Sequence, residues 1–284
     1  MDVPVVAVVG AGVMGTGIST LVTGHGLPVV LVDVDEAALE RARAATATGL
    51  RHARLVGALP AGSQPAELHT TVRLDEVEPA GAVIEAVTER ADLKAELLAK
   101  VSGLVRPGTP LISNTSGIPI DELAADLRRP GELIGTHFMN PAYLISMVEV
   151  IRGPRTVEAT VESVLALLTR IGRRAVVVRD APGFVTSRLL HPMINDAARI
   201  VSEGTATVEE VDSLMQGCLG HPTGPLRTAD LIGIDNLVDA LTMLHLRTGD
   251  QRCRPSDLLL EKVRRGELGR KSGRGFYVYR EAGP

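Results

Sequence analysis

The opening of the chain constrains its fold more than any other stretch. Residues 4–9 (PVVAVV) form an aliphatic run that stops at Gly10-Ala11-Gly12-Val13-Met14-Gly15. A helical stretch follows, and a second aliphatic run, residues 28–32, ends on Asp33. In the order strand, glycine turn, helix, strand, acid, each glycine has its own duty. The first allows a tight turn, the second lets backbone approach a pyrophosphate, and the third lets the helix pack close to the strand. The helix N-terminus then offers N–H groups and a positive dipole end to phosphate. The candidate cofactor-binding residues here are Gly10, Gly12, Val13, Met14, Gly15 and Asp33. A carboxylate at Asp33 suits the adenosine ribose hydroxyls and repels the extra phosphate of NADP, so the pattern predicts NAD.

The same alternation continues. Residues 69–74, 82–87, 110–113, 133–137, 147–151 and 175–178 read as strands, with helices over 36–57, 92–105 and 157–171. This predicts an α/β fold with a mostly parallel, doubly wound Rossmann-type sheet. Aromatic residues are 2% of the chain and Trp is absent. The core must therefore come from Val, Leu, Ile and Ala, which suits parallel strands buried on both faces. From residue 183 the texture changes to helices alone, at 183–203, 208–218, 231–246 and 256–265. The expected division is a dinucleotide-binding domain over 1–182 and a smaller all-α domain over 183–284, serving substrate and dimerisation. Its helices are more apolar than one small layer can bury, which predicts a homodimer.

A net charge of −4 with no basic stripe or aromatic ladder argues against nucleic acid as a partner. No segment has the length of a membrane span. The first strand begins so early that no room is left for a signal peptide. Cys218 and Cys253 show neither CxxC nor metal-type spacing, so free thiols in a reducing cytosol and no metal are expected.

Three further segments carry chemistry: Ser113-Asn114-Thr115-Ser116, Gly135-Thr136-His137-Phe138-Met139-Asn140-Pro141 and Val148-Glu149-Val150-Ile151. Glu85-Ala86-Val87, Glu89, Lys94, Asp180-Ala181-Pro182-Gly183-Phe184, Arg188-Leu189-Leu190 and Gly220-His221-Pro222-Thr223-Gly224-Pro225 accompany them, as does residues 269–277 (GRKSGRGFY). With these pieces in this order, the chain resembles the 3-hydroxyacyl-CoA dehydrogenase family along nearly its whole length. The resemblance implies NAD-dependent interconversion of a 3-hydroxyacyl thioester and its 3-oxo form.

Residue chemistry agrees. Oxidising a secondary alcohol needs a base for the hydroxyl proton, a role His fills near neutral pH. A carboxylate on the other ring nitrogen fixes the tautomer and stabilises the protonated ring. The family's catalytic His and its partner Glu fall on His137 and Glu149, on successive expected strands. Ser116 matches the serine that contacts the substrate oxygen near the nicotinamide; alternatively it caps the helix starting near Pro119, together with Asp121. Asn140 and Ser187 join Ser116 as candidate substrate contacts. Glu89 and Lys94 either lie near the cofactor's ribose and nicotinamide side, as the resemblance implies, or form an exposed pair. Lys271 in the glycine-rich tail is a further candidate cofactor contact.

Departures from the family pattern bear on the substrate. Ser187 stands where the family has an asparagine just before Arg188, and Asn195, two helical turns on, is no obvious replacement. Met139 replaces a phenylalanine. Lysines that bind the nucleotide end of CoA in relatives are missing; Arg43, Arg51 and Arg54 either serve instead or form a solvated face. These departures touch the substrate more than the reaction, and a short-chain acyl-CoA of about four carbons is the leading substrate that the resemblance implies. Three alternatives stand beside it: the same chemistry on an acyl-carrier-protein thioester (the glyceryl type of polyketide extender-unit biosynthesis), a free hydroxy or sugar acid, and a non-enzymatic NAD-binding protein. Intact Ser116, His137 and Glu149 argue against the last.

Overall fold

Valine-rich runs become strands because β-branched side chains pack well on a pleated surface buried on both faces. In the computed structural model, which describes residues 4–279, β1 (Val6–Val9) is buried throughout and is followed by α1 (Val13–Gly24), β2 (Val29–Val32) and α2 (Glu36–Leu55). Then come β3 (Leu68–Thr71), β4 (Ala82–Glu85), α3 (Ala91–Leu104), β5 (Leu111–Ser113) and the short α4 (Ile120–Leu123). The series closes with β6 (Leu133–His137), β7 (Met147–Arg152), α5 (Glu158–Arg170) and β8 (Arg174–Arg179). All of these belong to a first compact unit that ends at Ala181.

The helices follow from local chemistry. Asp35 starts α2 by accepting the Ala37 N–H at 2.9 Å. That helix buries Leu39, Ala42, Thr46, Gly49 and Ala53, a stripe at three- and four-residue spacing. Val8, Ile18, Leu31, Ile84, Ile134 and Val150 are among the aliphatic side chains at the centre of the unit.

The strand order is β3-β2-β1-β4-β5-β6-β7-β8. Strands β1 to β6 run parallel to their neighbours. The expectation of a mostly parallel sheet needs one refinement. β7 runs antiparallel to β6, and β8 is parallel to β7. After β3 the chain crosses back to lay β4 beside β1. The order therefore reverses between β1 and β4, which opens a crevice at their C-terminal ends.

His25, just past α1, gives this unit an acid sensitivity. Its Nδ1 lies 2.8 Å from the Leu21 carbonyl, an acceptor, so that nitrogen carries the proton. Burial, aided by nearby Arg173, lowers its pKa from the ordinary 6.5. As pH falls through 6.5, the unfolded chain takes up this proton before the folded one, and stability is lost in that window. His25→Asn should flatten this part of the acid decline in melting curves run from about pH 7.5 to 5. An unchanged slope would remove His25 from the account.

The second unit begins at Pro182. It contains α6 (Thr186–Ser202), α7 (Val208–Leu219), α8 (Pro225–Ile232), α9 (Ile234–Thr248) and α10 (Asp257–Arg264). Sequence periodicity suggested one helix over 231–246. The chain instead breaks at Gly233, whose φ of +96° no side-chain-bearing residue adopts readily. Pro225 opens the unforeseen α8 at a position where a missing N–H costs nothing. Ile194, Leu226, Ile234, Leu237, Leu241 and Leu259 form the core.

Two buried carboxylates tie the chain end to this core. Asp212 accepts the Leu226 and Arg227 N–H groups at 2.8 and 2.9 Å and the Tyr277 hydroxyl at 2.9 Å. Asp230 accepts the Phe276 and Tyr277 N–H groups at 2.8 and 2.9 Å and the Tyr279 hydroxyl at 3.1 Å. Among the described residues, no helix is long and apolar enough to cross a membrane.

Candidate active site

Parallel strands deliver their last residues to one edge of the sheet. Glu85, Ser113 and His137 are the final residues of β4, β5 and β6. Gly10 and Asp33 directly follow β1 and β2 on that same edge.

The three glycines are needed for three different reasons. Gly10 has φ +108°, and a Cβ there would lie 2.6 Å from the Ala86 carbonyl oxygen, in the loop after β4. A Cβ on Gly15 would fall 1.8 Å from the Gly10 oxygen, so helix and turn touch through backbone. A Cβ on Gly12 would meet nothing within 4 Å, because that face is open. No side chain caps α1 at Gly12 and its first turn holds no acid, so its leading N–H groups face the opening uncontested. Val13 is exposed and Met14 half-buried at this mouth. Asp33 is held beside the turn, its Oδ2 accepting the Ala11 N–H at 2.6 Å and its Oδ1 the Asp35 N–H at 3.0 Å. An open, uncapped helix end at the switch point with a fixed carboxylate alongside fits a dinucleotide.

His137 and Glu149 face one another directly across the antiparallel β6–β7 ladder. Both side chains are buried, with Nδ1 of His137 3.3 Å from Oε2 of Glu149. An ionised carboxylate only accepts, so the pairing places the ring proton on Nδ1 and leaves Nε2 as the basic nitrogen. That is the polarity a general base requires. After His137 the chain turns out through half-buried Met139 and exposed Asn140, whose bond to Pro141 is cis.

Ser116 is exposed, and α4 starts at Pro119 without a side-chain cap. The capping role weighed for Ser116 is therefore not realised. Its neighbour Thr115 takes the turn instead, accepting the Ile118 N–H at 3.0 Å. Glu89 accepts the Ser116 N–H at 2.7 Å and the Thr115 hydroxyl at 2.5 Å. Nor are Glu89 and Lys94 an exposed pair. The Lys94 side chain is 0% exposed and its ammonium lies 2.7 Å from Glu85 and 3.2 Å from Glu89.

Two candidates belong to the second unit. Ser187 is buried on the first turn of α6. Lys271 pairs with Asp235 at 2.6 Å. Asn195 is no stand-in for the missing family asparagine. Its amide donates to the Arg252 and Arg254 carbonyls and accepts the Ser256 N–H, each at 2.8 Å, so its polar atoms bind that turn.

Sequence reasoning passed over Glu85, Asn114 and Thr115 as individuals. Asn114 accepts the Phe138 N–H at 3.2 Å, which joins the Ser116 loop to the residue after His137. A signal for Glu85 was present: a carboxylate closing the apolar run Ala82-Val83-Ile84 demands a buried partner.

A dinucleotide crevice with an imidazole base on the same sheet edge is the arrangement of a nicotinamide-dependent oxidoreductase. The chain belongs to the 3-hydroxyacyl-CoA dehydrogenase family: residues 5–181 match the model of its NAD-binding domain and residues 183–279 that of its C-terminal domain. It is 41% identical over 285 residues to the probable 3-hydroxybutyryl-CoA dehydrogenase of Bacillus subtilis, with 99% of each chain covered. The crystal structure of FadB2 from M. tuberculosis superposes with a TM-score of 0.92 at 35% identity, covering 99% of this chain and 100% of that one. That of (S)-3-hydroxybutyryl-CoA dehydrogenase PaaH1 from Ralstonia eutropha gives 0.88 at 38% identity, with the same coverage.

Proposed function

We propose that this chain interconverts a short-chain 3-hydroxyacyl-CoA and its 3-oxoacyl form, with NAD as redox partner. The cross-strand pairing of His137 with Glu149, on the edge that carries the glycine turn, is the observation that supports this most. Gly10, Gly12, Val13, Met14 and Gly15 receive the pyrophosphate, and Asp33 takes the adenosine ribose. When bound, NAD supplies the acceptor for the hydride that leaves C3. His137 takes the hydroxyl proton through Nε2, and Glu149 stabilises the ring as it becomes charged. In the reductive direction the same ring returns that proton. Ser116 and Asn140 contact the substrate and Glu89 lines the cofactor; for Ser187 and Lys271, in the helical unit, substrate and cofactor contact is what the family resemblance implies. The names of the Bacillus and Ralstonia relatives point to a four-carbon acyl group.

One observation favours a second reading, in which an acyl carrier protein holds the thioester. The α2 arginines that could replace CoA-binding lysines already have local partners. Arg43 reaches Thr70, Arg51 donates to Thr48 at 3.0 Å, and Arg54 donates to the Ser63 carbonyl at 3.2 Å. NADH oxidation measured with acetoacetyl-CoA and with acetoacetyl-carrier protein separates the two. Turnover on the CoA ester supports the first reading; turnover on the carrier-bound group alone supports the second; none on either sinks both. Repeating the assay with NADPH tests the part given to Asp33, and comparable rates would overturn it.

The enzyme works in the cytoplasm as a homodimer through its helical domain. Leu189, Met193, Ile200 and Met215 line a hollow between α6 and α7, rimmed by the charged Arg188, Asp196 and Arg252, which a second copy would cover. Sedimentation of a monomer at micromolar concentration would overturn this.

A further inference from the structure

Asn114 is the first residue after β5, and it is tied to the strands on both sides. Its N–H donates to the Glu85 carbonyl at 2.8 Å, toward β4. Its side-chain Oδ1 accepts the Phe138 N–H at 3.2 Å, toward β6 and one residue past His137. The side chain thereby carries the contact between β5 and β6 beyond their last backbone pair, Ser113 with Gly135. A backbone N–H only donates, so the atom that faces Phe138 is the amide oxygen, and the nitrogen points the other way. Nδ2 therefore has two N–H donors to place. Among the described residues they meet no acceptor, and Nδ2 is not one of the unpartnered atoms sealed from solvent. One end of the amide is fastened and the other is open, on the sheet edge that also carries the glycine turn and His137.

We infer that Asn114 is a further binding residue of the site, which donates through Nδ2 to a carbonyl oxygen of the bound reactants. The class of acceptor follows from the donor. An amide N–H is uncharged and suits an uncharged carbonyl oxygen, and two of these take part in the proposed reaction: the nicotinamide carboxamide and the 3-oxo group of the substrate. Position agrees with either. β5 lies between β4, whose following loop holds Glu89, and β6, which ends on His137. A donor at its tip stands between the side given to the cofactor and the side given to the base. Water satisfies the open N–H groups in the empty site, and a ligand oxygen takes that place on binding. The amide cannot turn over without breaking its bond to Phe138, so the donors are aimed before any ligand arrives.

This role rests on the dehydrogenase reading. A wild-type enzyme silent on acetoacetyl-CoA removes both, whereas a working wild type with unaltered variants removes this one alone. The full-length variants are Asn114→Asp, which keeps an acceptor for the Phe138 N–H but has no donor, and Asn114→Ala, which keeps neither. Each is assayed for kcat, for KM of acetoacetyl-CoA, for NADH dissociation by fluorescence and for thermal midpoint. Asn114→Asp should melt within about 3 °C of wild type, since the link to Phe138 survives, and Asn114→Ala should melt lower. Both should lose kcat/KM by about 10-fold or more. Reduced thionicotinamide adenine dinucleotide tells the two oxygens apart, because sulfur is a weak acceptor. If the carboxamide is the partner, wild type binds this analogue less well than NADH and the variants bind the two alike. If the 3-oxo group is the partner, the loss falls on kcat, and the preference for NADH is the same in all three proteins. Either pattern supports the assignment. Wild-type kcat/KM in Asn114→Asp beside a damaged Asn114→Ala would reduce the residue to a structural link between β5 and β6 and overturn it. So would a loss confined to Asn114→Asp, the mark of an added charge.

Discussion

His137→Gln lowers kcat by about 100- to 10,000-fold while NADH binding stays near wild type, the span usual for loss of a general base. The separation of the two effects follows from the fold. In the proposed reading the pyrophosphate is held by backbone of the turn after β1, where Gly10 and Gly15 touch through main-chain atoms, and none of the cofactor contacts comes from His137. Proton transfer, as proposed, belongs to a side chain of β6. Glu149→Gln should act through the tautomer: an amide turned to donate to Nδ1 forces the ring proton onto Nε2, which removes the base without removing the ring. A loss of about 100-fold or more in kcat is expected there too. Steady-state kinetics beside NADH fluorescence titration check both variants. A His137→Gln enzyme that keeps a tenth of its turnover would mean that another group takes the proton.

Asp230→Ala destabilises the helical unit by about 3 kcal/mol or more, because two N–H groups and one hydroxyl lose their shared acceptor inside the protein. In a unit of this size that corresponds to a fall of more than about 10 °C in its melting temperature. Asp230→Asn keeps the volume but presents an amide to donors, and should lose about half as much. Gly275→Ala should match the alanine variant for a steric reason, since a Cβ there would lie 2.0 Å from Asp230 Oδ1. Alkaline pH attacks the same contact. Burial, with Asp230 close by, raises the Tyr279 pKa to about 12. A folded pKa above the unfolded one means stability that is whole below the ordinary value of 10 and lost as pH climbs toward 12. Calorimetry with limited proteolysis of the tail decides. A midpoint lowered by less than about 3 °C in Asp230→Ala would show that the carboxylate is dispensable.

Much of this molecule is legible in its sequence where a local pattern has one physical solution. The glycine spacing after β1 leaves no room for side chains at two positions and needs openness at a third, so turn and ligand class could be read together. His137 and Glu149 were legible as chemistry, from residue types on successive strands. Their short separation also let a turn bring them together. The aliphatic run of a buried strand does not by itself say whether it lies parallel or antiparallel to its neighbour, so the exact cross-strand pairing was not legible. Gly233 was hidden for a related reason. The apolar spacing persists through the break between α8 and α9, and one glycine within such a pattern is compatible with a continuous helix. Lys94 was misjudged as open to solvent in one of its two readings because charge predicts exposure unless a partner is in view. Its partner Glu85 lies on another element, nine residues away. Asn195 reads as no obvious replacement for the missing asparagine, and what it does instead was hidden because its turn partners lie 57 to 61 residues further along.

The ladder that sets His137 against Glu149 has an evolutionary corollary. Main-chain pairing of two strands, and not the path between them, dictates how far apart imidazole and carboxylate stand. Outside Phe138 and Ala142, which the core buries, residues 139–146 can consequently change side chains with the spacing of His137 and Glu149 left undisturbed. Variation on this scaffold can therefore alter the surroundings of the pair while the register of the ladder holds the pair itself constant.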